Sequence, residues 1–359
     1  MNPKSLFSLN EHLEVLSQSG DPLETLAAVV DFESFRALLA ERLGYGDRPQ
    51  GGRPPFDAVL MFKILILQTY HNLSDAKTEF YVRDRITWMR FLGFNLGDTT
   101  PDENTIRHFR NRLIETETLP VLMGTFEQQL EGKGYLPMGG QIVDASLVPA
   151  PKQRNTTGEN AAIKEGQSAR EIWPDQANKA AQKDVDARWT VEIGGKIRRR
   201  PDGSLLQQIS QPKYGYKVHH SIDVMFGFIR KSEVTSAAVY DGKLLERIVD
   251  FNNTASGVWG DRAYPSAKNK KWLAENGFRS CLHRKKPKGK PLPVASARAN
   301  SKKSSVRARV EHVFAQQKNR FGLFIRTIGL ERAKAKLTLA NLAYNFDRLI
   351  FHERRCTLG

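Results

Sequence analysis

Apolar and polar residues follow two different periods along this chain, and the period changes near residue 136. Before it, apolar positions recur every three to four residues, as in LETLAAVVDFESFRALLAERLG and AVLMFKILILQTY, a pattern typical of helices. Beyond it, short apolar runs such as QIVDASLV and YGYKVHHSIDV are typical of strands, with helical patterns between them. The pattern therefore predicts an all-helical part at 1–135 and a mixed α/β part at 136–359.

The helical part has recognisable boundaries. A first helical stretch is expected to end at Gly44 and Gly46, since glycine readily adopts the left-handed conformation that closes helices. A core helix is predicted at about 56–70 and another helix at about 118–133. Between them, Ser74 is the candidate N-cap of an amphipathic helix or helix pair.

A helix with a basic surface is predicted after residue 100. Thr100 is its candidate N-cap, a proline takes the first helical position, and Glu103 stands where a capping box needs an acid. The arginines of this helix are Arg107, Arg110 and Arg112. With the preceding helix they resemble a helix-turn-helix, although a plain helical hairpin explains the same pattern equally well.

The α/β part begins with a buried strand, GGQIVDASLV, followed by a polar insertion at about 149–212 with little core of its own. Within the insertion, ARWTVEIGGKIRRRPDGS is predicted to form a short hairpin. YGYKVHHSIDV and GFIRKSEVTSA then form a second hairpin. A helix follows, for which Asp241 is the candidate N-cap.

Helices and strands alternate from there to the end of the chain. A short strand ends at Asp261, SAKNKKWLAENG is a helix, and FRSCLH is a strand. A basic loop at 284–303 precedes a helix at 304–321, which Gly322 closes. The aliphatic positions of 331–350 form a last amphipathic helix, which is expected to pack against this domain rather than to dimerise.

The net charge favours an anionic partner. The 359 residues carry a formal charge of +16, and nearly all of this excess lies in residues 262–309, where 15 Lys and Arg stand against one acid, Glu275. Such an imbalance is typical of proteins that bind nucleic acid or an anionic membrane. No basic amphipathic helix carries large apolar residues opposite its charge, which disfavours the membrane.

Three features bear on the compartment. Two cysteines are too few for a disulfide framework or a cysteine-based zinc site. The first residues lack the pattern of a secretory signal, and the most apolar run is too short to span a bilayer. We therefore expect a cytoplasmic protein.

Three acids stand where a metal site could form. Asp144 lies within an apolar run, where a carboxylate is costly unless it is paired or binds a metal. A turn at a strand end would also explain a single Asp. Asp261 follows a second core strand, and carboxylates at neighbouring strand ends repel each other unless a cation neutralises them. Oxygen ligands suit Mg²⁺.

The predicted helix at 304–321 offers the third acid, Glu311. Arg307 and Lys318 share its helical face. One interpretation is an ordinary salt bridge between residues four apart. The other is a metal ligand flanked by cations that bind phosphate.

These acids and their surroundings resemble the DDE transposases of bacterial insertion sequences, and most closely the insertion-sequence-5 group. The similar blocks cover nearly the whole chain and include GGRPPFDAVLMFKILILQTYHNLSDAKTEF, TPDENTIRHFRNRL, IVDASLV, KDVDARWT, YGYKVHHSID, GDRAYPS and RARVEHVFAQQKNRFG. The family's third-acid motif is Tyr-x2-Arg-x3-Glu-x6-Lys. Arg307, Glu311 and Lys318 match it, but Ser304 replaces the tyrosine, so the DNA-end contact of that tyrosine is missing from the match.

The resemblance implies a fold and a catalytic site. The fold is an RNase H-like catalytic domain in 136–359, a mixed five-stranded sheet with flanking helices, behind a helical DNA-binding or dimerisation domain in 1–135. Asp144, Asp261 and Glu311 would be the catalytic residues and the ligands of two Mg²⁺ ions, for which Mn²⁺ can substitute. Asp144 would bridge both ions, and each other acid would bind one.

The implied activity is metal-dependent cleavage at transposon ends and strand transfer into target DNA. Its partners are double-stranded DNA, as terminal inverted repeats and as target, and a second copy of the chain when DNA is bound. The residues expected on DNA are Arg307, Lys318, Arg284, Lys285, Lys286, Arg107 and Arg110. Such a protein would work at the bacterial nucleoid. The alternatives are a retired transposase that only binds DNA, and an RNase H-like nuclease that does not join strands.

Other polar residues favour structural roles. His219 and His220 alternate along a predicted strand and cannot both face one site, so packed or surface positions are expected. Asp223 is interpreted as a turn acid and Trp259 as a core residue.

Overall fold

A computed structural model describes residues 8–44, 54–194, 198–199, 205–206, 209–287 and 289–357. By their internal contacts the residues form two compact units. The first, here called the helical unit, contains residues up to Leu136 together with 319–322 and 338–359. The second, here called the sheet unit, contains 137–318 and 323–337. No helix in the described ranges is both long and apolar enough to span a bilayer.

Eight helices precede the sheet in the described part of the helical unit. They are α1 Ser8–Gln18, α2 Pro22–Val29, α3 Arg36–Leu43, α4 Ala58–His71, α5 Asp75–Asp84, α6 Ile86–Leu92, α7 Glu103–Glu115 and α8 Thr118–Gly132. The first apolar stretch is divided because the Asp31 carboxylate accepts hydrogen bonds from the amides of Glu33 and Ser34, which begins a 3-10 turn between α2 and α3. The predicted helices at 56–70 and 118–133 are confirmed as α4 and α8.

Two predicted helix boundaries are confirmed and one is wrong. Ser74 caps α5, and Gly44 ends α3 with a φ of 64°, while Gly46 lies outside the described residues. Thr100 is not the N-cap of α7. Asp102 takes that position and accepts a hydrogen bond from the Thr105 amide at 2.7 Å. Aspartate caps as well as threonine does, and the helix begins two residues later than predicted.

Aromatic residues form much of the helical unit's core, and the last helix of the chain contributes to it. That helix, α15, spans Leu330–Thr357. The ring of Phe346 lies 5.7 Å from that of Phe32 and 4.8 Å from that of Phe126, centroid to centroid. From Thr338 onward α15 belongs to the helical unit, so the expectation that its stripe packs on the catalytic domain is wrong for this part.

The sheet unit is built on a mixed six-stranded sheet within the described residues. Its strands are β1 Gln141–Pro149, β2 Arg188–Gly194, β5 Ile209–Asp223, β6 Ile229–Ser236, β7 Gly257–Gly260 and β8 Arg279–Leu282. The order is β2-β5-β1-β7-β8, and β6 also pairs with β5. β7 runs parallel to β1 and to β8, and the other pairs are antiparallel. The five expected strands are present, and the insertion adds β2.

The insertion is better structured than its composition predicted. It forms α9 Thr157–Glu165, α10 Ala169–Ile172 and α11 Ala177–Gln182. Ile163, Trp173 and Ala180 make a small buried cluster of their own. The predicted hairpin is wrong for β2, which pairs with β5 instead, because its alternating residues suit a sheet. Among the residues described in that stretch, β3 Arg198–Arg199 and β4 Leu205–Leu206 form a short ladder.

The remaining elements bring two further corrections. They are a 3-10 turn at Asp241–Lys243, α12 Leu245–Ile248, α13 Ala267–Glu275 and α14 Val294–Arg320. Asp241 is not an N-cap, because it lies inside the 3-10 turn and makes no capping hydrogen bond. The predicted basic loop ends at Val294, since the Ala, Lys and Arg that follow are good helix formers. Gly322, with a φ of 53°, follows the end of α14 as predicted.

Candidate active site

Asp144 lies in the middle of β1, and its side chain is only 16% exposed. One carboxylate oxygen accepts a hydrogen bond from the Ala145 amide at 2.9 Å. Burial raises the pKa of Asp144 to about 6, the positive charge of Arg307 opposes this, and the negative charges of Asp261 and Asp241 add to it. The ionised carboxylate is therefore costly in this position, and a cation beside it would lower that cost.

The strand register places Asp261 beside Asp144. Ile142 of β1 pairs with Trp259 of β7 in a parallel ladder. Continuing that register by two residues sets Asp144 next to Asp261, and residues two apart on a strand face the same side. Asp261 comes directly after β7, where its carboxylate accepts a hydrogen bond from the Ala263 amide at 2.7 Å. The register thus places two of the three predicted acids next to each other.

Arg307 of α14 connects the third acid to this pair. Its Nε lies 3.9 Å from Asp144 Oδ2, and its Nη2 lies 3.1 Å from Glu311 Oε1. The Glu311 side chain is 65% exposed, and Lys318 is exposed further along the helix. The salt bridge between residues four apart is thus present, and the same arginine also faces Asp144. The salt-bridge interpretation of this helix face is confirmed, and the metal-ligand interpretation stays a prediction.

The two neighbouring carboxylates suit a divalent cation whose other ligands are water and substrate oxygens. Among the residues that the structure describes, no three His, Cys, Asp or Glu side chains form a cluster able to hold a metal ion. Mg²⁺ usually binds through one or two carboxylates and completes its shell with water and substrate phosphates. Asp144 and Asp261 fit that mode, while Glu311 is paired with Arg307.

A fourth acid near the site was missed from the sequence. Asp241 was interpreted as an N-cap, but its carboxylate forms an ion pair with Lys217 Nζ at 2.9 Å. The amide of the buried Asn269 donates to the carbonyls of Gly242 and Tyr264, at 2.8 and 2.7 Å. It thereby ties the loop of Asp241 to the loop that follows β7. Asp241 lies in a 3-10 turn five residues after the end of β6, and no local sequence signal placed it near Asp144.

The two histidines of β5 are packed, as expected. His219 Nε2 lies 3.0 Å from Thr235 Oγ1, and His220 Nε2 lies 3.1 Å from Gln317 Oε1. Burial lowers the pKa of each to about 4, so both are neutral at pH 7. Asp223 is also a turn acid as predicted, because it accepts hydrogen bonds from three backbone amides of the β5–β6 turn.

Ser304, which stands where the family motif has a tyrosine, contacts a buried histidine. Ser304 Oγ lies 3.3 Å from Nε2 of His283, which is buried at the end of β8. Burial and the charge of Arg307 lower the pKa of His283. A neutral imidazole therefore lies next to this position, and no sequence signal pointed to it.

The residues expected on DNA are in two kinds of environment. Lys285 and Lys286 are exposed in the loop after β8. The Arg284 guanidinium lies 3.3 Å from Ser296 Oγ. Arg107 is exposed, whereas Arg110 forms a two-pronged ion pair with Asp75, both distances 2.7 Å. DNA contact by any of these residues stays a prediction, and for Arg110 it would compete with an internal ion pair.

An RNase H-like sheet with one carboxylate on β1 and a second directly after the parallel strand β7 defines a class of nucleic-acid-processing enzymes that depend on divalent metal. Residues 136–346 match the family model described as transposase DDE domain, and residues 11–112 match the one described as transposase domain (DUF772). The chain belongs to the DDE transposase family. It is a DNA transposase, an enzyme that cuts and transfers DNA strands.

One solved structure with some similarity is a cryo-EM structure of the piggyBac transposase synaptic complex with hairpin DNA. The sequence identity is 11%, the TM-score is 0.39, and the match covers 92% of this chain and 75% of that chain.

Proposed function

We propose that Asp144, Asp261 and Glu311 are the catalytic carboxylates of an insertion-sequence transposase of the insertion-sequence-5 group, with Mg²⁺ as the cation. The observation that carries this proposal is the largely buried Asp144 carboxylate, whose pKa is raised to about 6 and which is in register with Asp261, the residue directly after the parallel strand β7. A structural carboxylate would be expected to have a fixed cation or several hydrogen-bond donors. Asp144 has one amide donor and an arginine at 3.9 Å.

The reaction joins and breaks phosphodiester bonds. In cleavage, water attacks phosphorus at the element end, the bond to the 3′ oxygen breaks, and a 3′-hydroxyl is released. In strand transfer, that hydroxyl attacks a target phosphodiester and displaces the target's own 3′ oxygen. Two divalent cations supply an activated attacking oxygen and charge stabilisation on the leaving oxygen when bound, and Mn²⁺ can replace Mg²⁺.

The side chains of the site have separate tasks in this proposal. Asp144, Asp261 and Glu311 would together hold the cations. Arg307, released from Glu311, is then available to a phosphate next to the scissile bond. Lys318 lies on the same helix and meets the backbone further along the DNA. The Glu311 side chain is 65% exposed, so its ion pair with Arg307 is worth little free energy, which supports an exchange of partners.

DNA would also be bound outside the catalytic centre. The exposed Lys285 and Lys286, with Arg284, would hold the phosphate backbone, and Arg107 with Arg110 would contact DNA from the helical part. We assign 1–135 to DNA binding and dimerisation and 136–359 to catalysis. Two element ends must be held together, so we propose a homodimer on DNA, working in the cytoplasm at the nucleoid.

The test is cleavage and strand transfer on duplexes that carry the element's terminal repeats, with and without Mg²⁺. We expect Asp261→Asn to reduce cleavage at least a thousandfold and to leave DNA binding within about twofold, because the loss removes a ligand rather than a DNA contact. Glu246→Gln is the matched control, since it removes a carboxylate of the same unit that pairs with Lys268 on the surface.

Equal cleavage by wild type and Asp261→Asn would overturn the catalytic assignment. Cleavage without joined product would favour the nuclease alternative. Tight binding of the element ends by a wild-type protein that never cleaves would favour the retired binder.

A further inference from the structure

His283 lies in line with two acids of the candidate active site. It follows β8 directly, and its amide donates to the Gly260 carbonyl at 3.0 Å, so the register of β7 and β8 continues and sets His283 opposite Asp261. The register of β1 and β7 sets Asp261 opposite Asp144 in the same way. Residues that lie directly opposite each other in a sheet point to the same face. The three side chains therefore form one row across one face of the sheet.

Helix α14 lies over this row. Its Arg307 Nε is 3.9 Å from Asp144 Oδ2. Ser304 stands three residues earlier, on the same side of the helix, and its hydroxyl is 3.3 Å from His283 Nε2. One helix face thus contacts the row at Asp144 and again at His283. We call His283 and Ser304 the histidine–serine pair.

The two members of the histidine–serine pair differ in exposure. The His283 residue is only 8% exposed, whereas Ser304 is exposed on the helix. A ligand from solvent can therefore reach the hydroxyl directly, while most of the imidazole is covered. A neutral imidazole carries one N–H, and a hydroxyl can accept one hydrogen bond while it donates another. With the proton on Nε2, His283 donates to Ser304 Oγ, and the serine proton is left for a ligand.

The charges around the histidine–serine pair are mostly positive. Burial lowers the pKa of His283, and the cations Arg307, Lys303 and Arg262 add to this, while the acid Asp261 opposes it. Lys303 Nζ also donates to the carbonyl of the last β8 residue at 2.7 Å, which holds this ammonium beside the pair. An excess of cations around a hydroxyl donor favours an anionic ligand and repels a metal ion. The substrate of a DNA transposase supplies such an anion in every backbone phosphate.

We propose that the Ser304 hydroxyl donates a hydrogen bond to a DNA phosphate beside the scissile bond, and that His283 is a positioning residue which holds this hydroxyl by donating to its oxygen. Neighbouring strands lie about 5 Å apart, so His283 stands one strand spacing beyond Asp261. A hydroxyl that is already oriented loses less freedom when it binds than a serine that rotates on the surface. The inference rests on the proposed function, because it takes the neighbouring acids to be the reaction centre.

The experiment measures binding of terminal-repeat duplexes by fluorescence anisotropy in EDTA, so that neither metal nor cleavage contributes. Each duplex carries one uncharged methylphosphonate in place of a phosphate near the cleaved bond. The penalty at a phosphate is the ratio of the affinities for the unmodified and the modified duplex. His219→Ala is the matched control. His219 is a buried histidine whose Nε2 lies 3.0 Å from Thr235 Oγ1, and it pairs with Ala145, so it points to the other face of the sheet.

We expect the penalty at one phosphate to be about tenfold smaller in Ser304→Ala and in His283→Ala than in wild type, the effect of one hydrogen bond to a charged group. Penalties at the other phosphates should stay unchanged. His283→Gln should restore the lost penalty, because its side-chain amide can donate to Ser304. In urea unfolding, Ser304→Ala should keep the wild-type midpoint. His219→Ala should lower the midpoint and keep every penalty.

Wild-type penalties at every phosphate in Ser304→Ala would overturn the inference. A loss in Ser304→Ala that His283→Ala does not share would overturn the positioning role. So would a fall of all penalties together in His283→Ala with a lowered urea midpoint, since that is the result of a structural defect. Cleavage by Asp261→Asn separates these failures from that of the proposed function. If Asp261→Asn cleaves like wild type, the catalytic assignment fails, whereas the penalties in EDTA still report on the histidine–serine pair.

Discussion

At the scale of single residues, the most informative side chain is Asp144, because it is kept where ionisation is unfavourable. Its pKa of about 6 in the folded chain compares with an ordinary value of 3.8. The folded state therefore binds this proton more tightly than the unfolded state. The stability that comes from the protonated form is present below about pH 4 and is lost as the pH rises through about 6. At neutral pH the ionised carboxylate costs about 3 kcal/mol of folding free energy.

Asp144→Asn should therefore stabilise the cation-free protein. We expect its unfolding free energy at pH 8 to exceed that of wild type by about 3 kcal/mol, and the difference to shrink clearly at pH 5. Urea unfolding in EDTA at both pH values measures this. A variant that is no more stable than wild type at pH 8 would show that Asp144 is not strained by burial.

At the scale of elements, the start of α15 is organised by acids from far away in the sequence. The Asp186 carboxylate accepts a hydrogen bond from the Leu330 amide at 2.8 Å, and the Gly329 amide lies 3.4 Å from Asp184 Oδ2. These amides belong to the first turn of a helix, where no backbone acceptor is available. Two acids of the block KDVDARWT thus accept hydrogen bonds from the start of α15. Asp184 also accepts a hydrogen bond from the Tyr216 hydroxyl.

Removing one of these acids should loosen that first turn. We expect Asp186→Ala to lower the unfolding free energy by about 1 kcal/mol, the usual effect of losing a helix cap, and to speed amide exchange at Leu330. Asp175→Ala is the control, because Asp175 is exposed on the same insertion. Slow exchange that persists at Leu330 in Asp186→Ala would contradict a capping role.

At the scale of the whole molecule, nearly all of the +16 charge lies in residues 262–309, and the structure places these cations in different environments. Some of these cations are paired, since Lys268 and Lys271 of α13 lie 2.8 and 3.6 Å from glutamates. Lys285 and Lys286 are exposed in the loop before α14. Net charge therefore predicts a polyanion partner, and the ion pairs indicate which lysines are already neutralised.

The salt dependence of DNA binding should distinguish these two groups. Replacing Lys285 and Lys286 by glutamine should weaken binding and lower the slope of log affinity against log salt by about 2, one for each lost phosphate contact. Replacing Lys268 and Lys271 by glutamine should change the slope much less. Fluorescence anisotropy across a salt series measures both. Equal slopes for all proteins would place the loop away from the DNA.

The sequence by itself determined the features that depend on neighbouring residues. The strands carrying Asp144 and Asp261, the helix carrying Glu311, and the caps at Gly44 and Ser74 follow from local period and backbone preference. Those preferences depend only on residues a few positions away in the sequence. Where two local choices compete, as Thr100 and Asp102 do for one N-cap, the local pattern does not decide between them.

Only the tertiary structure decided the contacts between segments distant in sequence. Asp241 became a neighbour of Asp144, His283 was buried beside α14, and β2 joined the main sheet through such contacts. The second half of α15 likewise packed in the helical unit through Phe346. Each of these depends on which surfaces meet when apolar area is buried. That choice is made by the whole chain, so no single stretch of sequence contains it.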